Sequence, residues 1–343
     1  MIVLEAVKIF AVLFLYMNTV PVLVYVERRV AAMVQDRVGP NRVGPAGFLQ
    51  PIADALKLLM KEDLIPAHVD RTLYTLSPLL AFLPAALAFA VVPFGNKVIL
   101  WGEVIRLQIA DANVGILFVL AASSLGVYGL AFAGWASNSK YSLLGSLRAS
   151  AQLISYEIAM GLALVSLLMT TGTVDMSEIV LQQADRRWLG FIPGWNVFCQ
   201  PLAFMIFWIA AFAENNRLPF DLPECEPELV GGYHTEYAGM KFSMFFMAEY
   251  LAMVTMSSVL VTVFLGGWHC PGIVDAYDYG LGSALLSVAV FGTKTALILF
   301  VMILVRWTLP RFRYDQLMDL GWRVLVPLAL LNVILTGVLT VEV

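Results

Sequence analysis

The residues of this chain that could do chemistry are carboxylates, and several stand where an apolar chain has little reason to keep charge. In AENNRLPFDLPECEPELVGGYHTEYAGMKF, residues 213–242, Pro219, Pro223 and Pro227 recur every four residues. They exclude a helix and hold the segment extended. Along an extended chain Glu224, Glu226 and Glu228 point the same way, about 7 Å apart at each step. Three like charges on one face must either titrate as a coupled set or be neutralised by a cation. A merely solvated acidic loop is the alternative. Three further acids sit inside or at the mouth of apolar segments: Glu157, Glu214 and Glu249. Glu157 lies about 15 Å along its predicted helix, near the middle of a bilayer. An ionised acid there costs about 2.5–3.5 kcal/mol, so such groups face a polar cavity and relay protons or ions. Several of them in one half of one bundle point to a connected path.

The second chemical feature is basic. In QDRVGPNRVGPAGFLQPIADALKLLMKED, residues 35–63, the tetrapeptide RVGP occurs twice. Gly39-Pro40 and Gly44-Pro45 exclude regular helix and make a rigid turn that carries Arg37 and Arg42. Pro51 then suits a first helical turn. Leu49, Ile52, Leu56 and Leu59 recur at helical spacing, with Asp54, Lys57 and Lys61 on the other face. At about 20 Å this amphipathic helix is too short to span a membrane. It either lies on the lipid surface or roofs a cavity with Asp54 turned inward. Glu27-Arg28-Arg29, at the end of the first apolar segment, reads as a headgroup anchor or as the source of an arginine beside Asp54, which would favour that acid's charged form. Lys294, inside an apolar segment, is expected to pair with one of the acids.

The elements that must position these groups are membrane helices. The chain has 343 residues, of which 60% are hydrophobic and 13% charged, and its mean hydropathy is +0.82. This is the composition of a polytopic all-α membrane protein. Eight segments are apolar over the length a span requires: about 2–26, 74–93, 113–135, 147–170, 198–214, 243–265, 284–307 and 322–341. The first is too long for a signal-peptide core and no small-residue cleavage site follows, so it is expected to stay. Fifteen Lys and Arg fall in one set of loops against five on the other side. That asymmetry puts loops 27–73 and 214–242 in the cytoplasm and both termini outside.

Cys199, Cys225 and Cys270 lack C-x-x-C spacing, so no iron–sulfur or zinc site is expected. His68, His234 and His269 all fall outside the apolar spans, against a transmembrane haem. The chain thus has no evident redox centre, and no basic surface for nucleic acid. No internal repeat of whole-domain size is visible.

Taken together, ERR at 27–29, RVGPNRVGPAGFLQPIADALKLLMKE at 37–62, SLLGSLRASAQLISYEI at 142–158 and ENNRLPFDLPECEPELVGGYHTEYAGMKF at 214–242 resemble the membrane subunit of respiratory complex I that holds the quinone site. The resemblance covers essentially the whole chain. It implies a subunit of a proton-translocating NADH:quinone oxidoreductase in the bacterial inner membrane. The substrate is a quinone, ubiquinone or menaquinone, with no metal or flavin in this chain. The implied partners are peripheral subunits that carry iron–sulfur clusters and the quinone headgroup site, small membrane subunits, antiporter-like subunits and lipid. By the same resemblance, Glu27, Arg28, Arg37, Asp54 and Lys57 belong to the quinone tunnel and its rim. Glu157, Glu214, Asp221, Glu224, Glu226, Glu228, Glu236 and Glu249 match the family's carboxylate path. Cys225 departs from the pattern, where relatives often carry a small residue. The alternatives are the equivalent subunit of a membrane-bound hydrogenase, a stand-alone proton or cation channel with the acids as its filter, and a passive anchor for soluble subunits.

Overall fold

The computed structural model describes residues 2–100, 103–188, 192–222 and 229–341. Glu224, Glu226 and Glu228, with Cys225 among them, lie outside the described residues. The described chain is mostly helical, in the order α1 (Ile2–Val34), α2 (Gln50–Leu59), α3 (Arg71–Ala88), α4 (Gly115–Ala136), α5 (Lys140–Thr171), α6 (Met176–Asp185), α7 (Asn196–Cys199), α8 (Pro201–Glu214), α9 (Gly239–Phe264), α10 (Leu281–Thr308), α11 (Tyr314–Asp319) and α12 (Val326–Val341). Two small antiparallel hairpins, Val98–Leu100 with Glu103–Ile105 and Arg187–Trp188 with Ile192–Pro193, are the strands among the described residues.

Among the described residues, seven helical stretches are long and apolar enough to cross a membrane: Glu5–Val34, Arg71–Val91, Gly115–Ala136, Lys140–Thr171, Gly239–Phe264, Leu281–Thr308 and Tyr314–Thr340. The fifth apolar segment behaves differently from the expected single span over 198–214. Pro201 opens a new helix, separate from α7, and α8 has only 14 residues. In the last stretch a π-helical turn over Leu320–Leu325 joins α11 to α12. The short amphipathic helix is present as α2, ten residues or about 15 Å long.

Two helices overrun their expected ends, and both overruns build the site. Helix α1 continues to Val34, so Glu27, Arg28 and Arg29 lie within it rather than at its end. Helix α5 begins at Lys140, which gives its SLLGSLRAS segment a helical face before the apolar run starts. On that face a Cβ on Gly145 would come within 2.8 Å of the Gly232 backbone. Only glycine lets the loop before α9 sit this close.

Helix α3 continues through Pro78 and Pro84, and Ser77 Oγ donates back to the Leu73 carbonyl at 2.6 Å. Asp70 caps the same helix by accepting from the amides of Thr72 and Leu73 at 3.0 and 3.2 Å.

The core lies where α5, α8 and α9 meet. Ala159, Ala163, Ala210, Ala211 and Ala213 are buried there, and their small side chains bring the helix backbones together around Phe207 and Phe264. Gln152 of α5 ties this core to the turn after α8: its Nε2 donates to the carbonyls of Ala213 and Phe220, both at 2.9 Å. That turn carries Arg217.

Candidate functional site: a buried charge cluster between two cavities

Arg217 is buried, and its guanidinium stands between two buried carboxylates on different helices. Its Nη1 is 3.5 Å from Glu27 Oε2 of α1, and its Nη2 is 3.9 Å from Glu249 Oε2 of α9. Its plane lies over the ring of Tyr250, 4.2 Å from the centroid. Burial works against the arginine's charge, but Tyr250, Glu27 and Glu249 more than offset it and hold the pKa above the ordinary arginine value. Glu27 is satisfied from two further sides. Tyr250 donates its hydroxyl to Oε2 at 2.7 Å, and Arg306 of α10 pairs with Oε1. Glu249 accepts from the Tyr233 hydroxyl at 3.0 Å. Four charged groups and two phenols thus form one connected cluster in an apolar bundle. Such a cluster is costly to assemble, because each charge must find a partner on leaving water.

On one side of Glu27 lies a cavity of about 210 Å³, bounded by Val24, Arg28, Arg37, Phe246, Tyr250 and Trp307. Arg28 faces α2 as well: its Nη1 is 2.5 Å from Asp54 Oδ2. This contact is an ion pair without hydrogen-bond alignment; Asp54 Oδ1 instead accepts from Gln50 Nε2 at 3.1 Å. The Gly-Pro turn is folded back on the end of α1. Arg29 Nη2 and the Tyr25 hydroxyl both donate to the Ala46 carbonyl, at 2.6 and 3.0 Å. Gly44 and Gly47, at φ 73° and 79°, supply the left-handed backbone this turn needs. The turn therefore holds Arg37 at the mouth of the cavity and feeds the chain into α2.

On the other side, a cavity of about 80 Å³ runs between α3, α4, α5 and α9. Small side chains of α3 and α4, among them Ala81, Ala85 and Gly126, line part of its wall, and Glu214, Asn215, Asn216, Tyr233 and Glu249 are among its polar groups. Glu214 Oε2 and both side-chain polar atoms of Asn215 have no hydrogen-bond partner among the described residues. Buried polar atoms of this kind are where ordered water sits in a roomy site. Ser124 of α4 hydrogen-bonds Glu157, and its neighbour Ser123 stands beside Glu214.

The structure thus gathers Glu27, Arg28 and Arg37 at the first cavity, with Asp54 paired to Arg28, and Glu214 and Glu249 at the second, with Glu157 acting electrostatically on Glu214. Lys57 is exposed on α2, one turn beyond Asp54. Asp221 is drawn away from both cavities to Arg311, at 3.0 Å. Glu236 is 3.9 Å from His68 Nε2, towards the end of α3. Lys294 pairs with no carboxylate among the described residues. It donates instead to the carbonyls of Leu265, Gly267 and His269.

Sequence reasoning passed over Arg217, Arg306, Tyr233 and Tyr250. Arg217 carried one usable signal: it is the lone arginine in an acidic, proline-punctuated loop.

With the geometry in place, the comparisons with known proteins identify the family. The NADH dehydrogenase family matches residues 7–337. An NADH-quinone oxidoreductase subunit of the H type from Cytophaga hutchinsonii is 50% identical over 313 residues, covering 91% of this chain and 90% of that protein. Its counterpart from Geobacter metallireducens is 50% identical over 330 residues, covering 96% and 94%. NADH-quinone oxidoreductase subunit 8 of Rhodothermus marinus is 51% identical over 323 residues, covering 92% and 91%. A basic Gly-Pro turn, an acid-bearing helical bundle and relatives of this similarity over nearly full length lead to one conclusion: the chain belongs to the NADH dehydrogenase family of NADH-quinone oxidoreductase subunits, the H-type membrane subunits of respiratory complex I.

Proposed function

We propose that this subunit forms the membrane part of the quinone access tunnel and carries the carboxylate path that couples quinone reduction to proton translocation. In this reading the chain crosses the bacterial inner membrane eight times, with α8 as the short fifth crossing and both termini on the outer side. Electrons come from iron–sulfur clusters in peripheral subunits, and this chain supplies no redox centre of its own. The translocase activity belongs to the assembled complex, with small membrane subunits and antiporter-like subunits as the further partners.

One observation carries the reading: Arg217 contacts a carboxylate at the first cavity, Glu27, and a carboxylate at the second, Glu249. The first cavity suits a quinone path, because Val24, Phe246 and Trp307 give it apolar walls while Glu27, Arg28 and Arg37 offer polar partners. The second suits proton transfer, because Glu214 and Glu249 line it together with the Ser123 hydroxyl and the Asn215 and Asn216 amides, and Glu157 acts electrostatically on Glu214. A change in charge at the first cavity redistributes the pull of Arg217 between Glu27 and Glu249. That is how a redox event on one side is felt as a proton affinity on the other. Glu224, Glu226 and Glu228 extend the path through the loop that follows Asp221, and Asp221 and Glu236 stand at its flanks. Lys57 marks the tunnel rim on α2. The names of the relatives favour this quinone-linked complex over the hydrogenase alternative.

The direct test is photo-crosslinking of the intact complex with an azido-quinone, followed by peptide mapping. Label on residues 24–37 or 246–250 supports the tunnel, and label confined to lipid-facing residues of α10 and α12 would refute it.

A further inference from the structure

Lys294 lies in the apolar helix α10, about 18 Å along the axis from Arg306 and the Glu27 cluster. Its Nζ donates to three backbone carbonyls, of Leu265 at 2.7 Å, Gly267 at 3.1 Å and His269 at 2.6 Å. Three acceptors require three N–H bonds, so the group is an ammonium rather than a neutral amine. The ring of Trp195 closes a further side, 4.6 Å from Nζ to the centroid. No carboxylate lies within ion-pair distance of it among the described residues. The charge is therefore solvated by peptide oxygens and an aromatic face, and it is not neutralised by an acid among them.

The oxygens are held in place from behind. Gly266 and Gly267 adopt φ of 74° and 53°, conformations open to glycine that fold the 265–269 segment into a tight turn. The Gly266 amide donates to Gln183 Oε1 at 3.0 Å, and Gln183 Oε1 also accepts from the Asn196 amide at 3.1 Å. Asn196 Nδ2 in turn donates to the Val263 carbonyl at 2.8 Å. The cage is thus built from α6, α7 and the end of α9, and the lysine enters it from α10.

Between this cage and the carboxylates runs a broken column of buried hydroxyls. Thr255, Ser258 and Thr262 share one stripe of α9, spaced i, i+3, i+7. All three are buried, and Ser258 Oγ has no hydrogen-bond partner among the described residues. Thr295 Oγ1, next to Lys294 on α10, is likewise buried and without a partner among them. Thr255 itself lines the cavity that holds Glu214 and Glu249. Polar footholds therefore lead from the acidic cavity towards the far end of the bundle, and the last group along them is a fixed positive charge.

We propose that Lys294 is an electrostatic seal, which keeps protons and other cations from leaking through this subunit between the acidic cavity and the far membrane face. A fixed cation in a low-dielectric pathway excludes other cations. At an effective dielectric constant of about 20, a unit charge lowers the occupancy of a second cation about 12 Å away roughly tenfold. The proposal concerns the resting barrier and does not require the carboxylates to carry protons during turnover.

The test uses the whole complex reconstituted in vesicles, without NADH. A potassium diffusion potential drives protons inward and a pH-sensitive dye records their entry. Lys294→Gln still donates to the cage but carries no charge, and Lys294→Arg keeps the charge. We expect passive proton entry to rise roughly tenfold in Lys294→Gln and to stay at the wild-type level in Lys294→Arg. Quinone reductase activity in detergent, where no gradient forms, should remain within about twofold of wild type in both. Wild-type tightness in Lys294→Gln would overturn the proposal. So would loss of the assembled complex in Lys294→Gln, because the charge would then serve to build the bundle and not to guard it. Carboxylate variants that keep full pumping, with passive entry raised only in Lys294→Gln, would refute the proton path and leave the seal standing.

Discussion

Replacing Arg217 with methionine removes the one cation that stands between Glu27 and Glu249. At 3.5 and 3.9 Å, and with an effective dielectric constant of about 20, each attraction is worth roughly 4–5 kcal/mol before the cost of burying the ions is subtracted. The net effect is smaller. Glu27 keeps Arg306 and the Tyr250 hydroxyl, and Glu249 keeps the Tyr233 hydroxyl. Methionine also fills the space over Tyr250 with apolar volume. Breaking a buried pair on one side costs about 3–5 kcal/mol, and these surviving contacts place Arg217→Met at the lower end of that range. Glu249 loses the attraction of this cation, so Arg217→Met combined with Glu249→Gln should recover at least about 1 kcal/mol of the loss, a coupling of the size found for contacting charges. The assay is a double-mutant cycle on the purified complex, read by the denaturant concentration at which this subunit dissociates on native gels, with NADH:quinone reductase activity measured in parallel. Additive effects of the two substitutions, with no coupling beyond error, would refute the shared-cation argument.

Asp54→Asn and Arg28→Ala should leave the complex assembled, because this half-exposed pair contributes at most about 1 kcal/mol; quinone reductase activity should fall about fivefold while transfer to a hydrophilic artificial acceptor is unchanged, and loss of both activities would point to failed assembly. Glu157→Gln, which keeps the Ser124 hydrogen bond but cannot ionise, should lower both turnover and proton translocation in vesicles by roughly tenfold or more, the scale of a positioned proton-transfer group, with Glu157→Asp retaining part; a full proton-to-electron ratio and rate in Glu157→Gln would show that this carboxyl relays nothing. Glu226→Gln or Glu228→Gln should depress quinone reduction and membrane potential together, and wild-type behaviour of the double substitution would reduce the loop to a solvated one. His269 is buried in the loop before α10, and burial first, then the Lys294 charge, lower its pKa from 6.5 against the opposing pull of Asp275 and Asp185. The unfolded chain therefore binds the proton more readily, so stability is intact above about pH 6.5 and declines as pH falls below it; His269→Gln should flatten that acid limb in thermal unfolding scans, and an unchanged limb would exclude this histidine.

What could be read from the sequence was what is encoded locally. The amphipathic helix follows from the spacing of Leu49, Ile52, Leu56 and Leu59, and α2 appears where that spacing puts it. The meeting of Arg28 with Asp54 was foreshadowed because Asp54 is the acid of α2 and the arginines of the ERR triplet end the apolar run just before it in the chain. The overrun of α1 was not legible. A charged ERR triplet usually marks a membrane edge, but here Glu27 is met by Arg217, Arg306 and Tyr250, residues remote in sequence, and the helix has no need to stop. For the same reason Lys294 was expected to seek an acid. Its real partners are backbone oxygens, which every residue carries and no sequence pattern announces. The break between α7 and α8 had a visible cause in Pro201, outweighed by the continuous apolarity of its surroundings.

The arrangement of charge along the bundle has a physical logic of its own. Glu27, Arg217, Glu249 and Arg306 pair two carboxylates with two guanidiniums, so the cluster is close to neutral and each charge that leaves water meets an opposite one, which offsets part of the cost of burial. Near-neutrality also makes it responsive. Where each acid already has a cation nearby, adding or removing one charge at the edge of the cluster shifts every partner's share of that attraction, and no ion has to move through apolar space. Lys294 is built in the opposite way, with one charge, fixed oxygens and, among the described residues, no acid in contact to exchange a proton with. A group held like this does not cycle. The same apolar bundle thus contains a balanced cluster suited to passing on an electrostatic change and an unbalanced charge suited to blocking one. The difference lies in whether the partners of each cation are titratable carboxylates or peptide carbonyls.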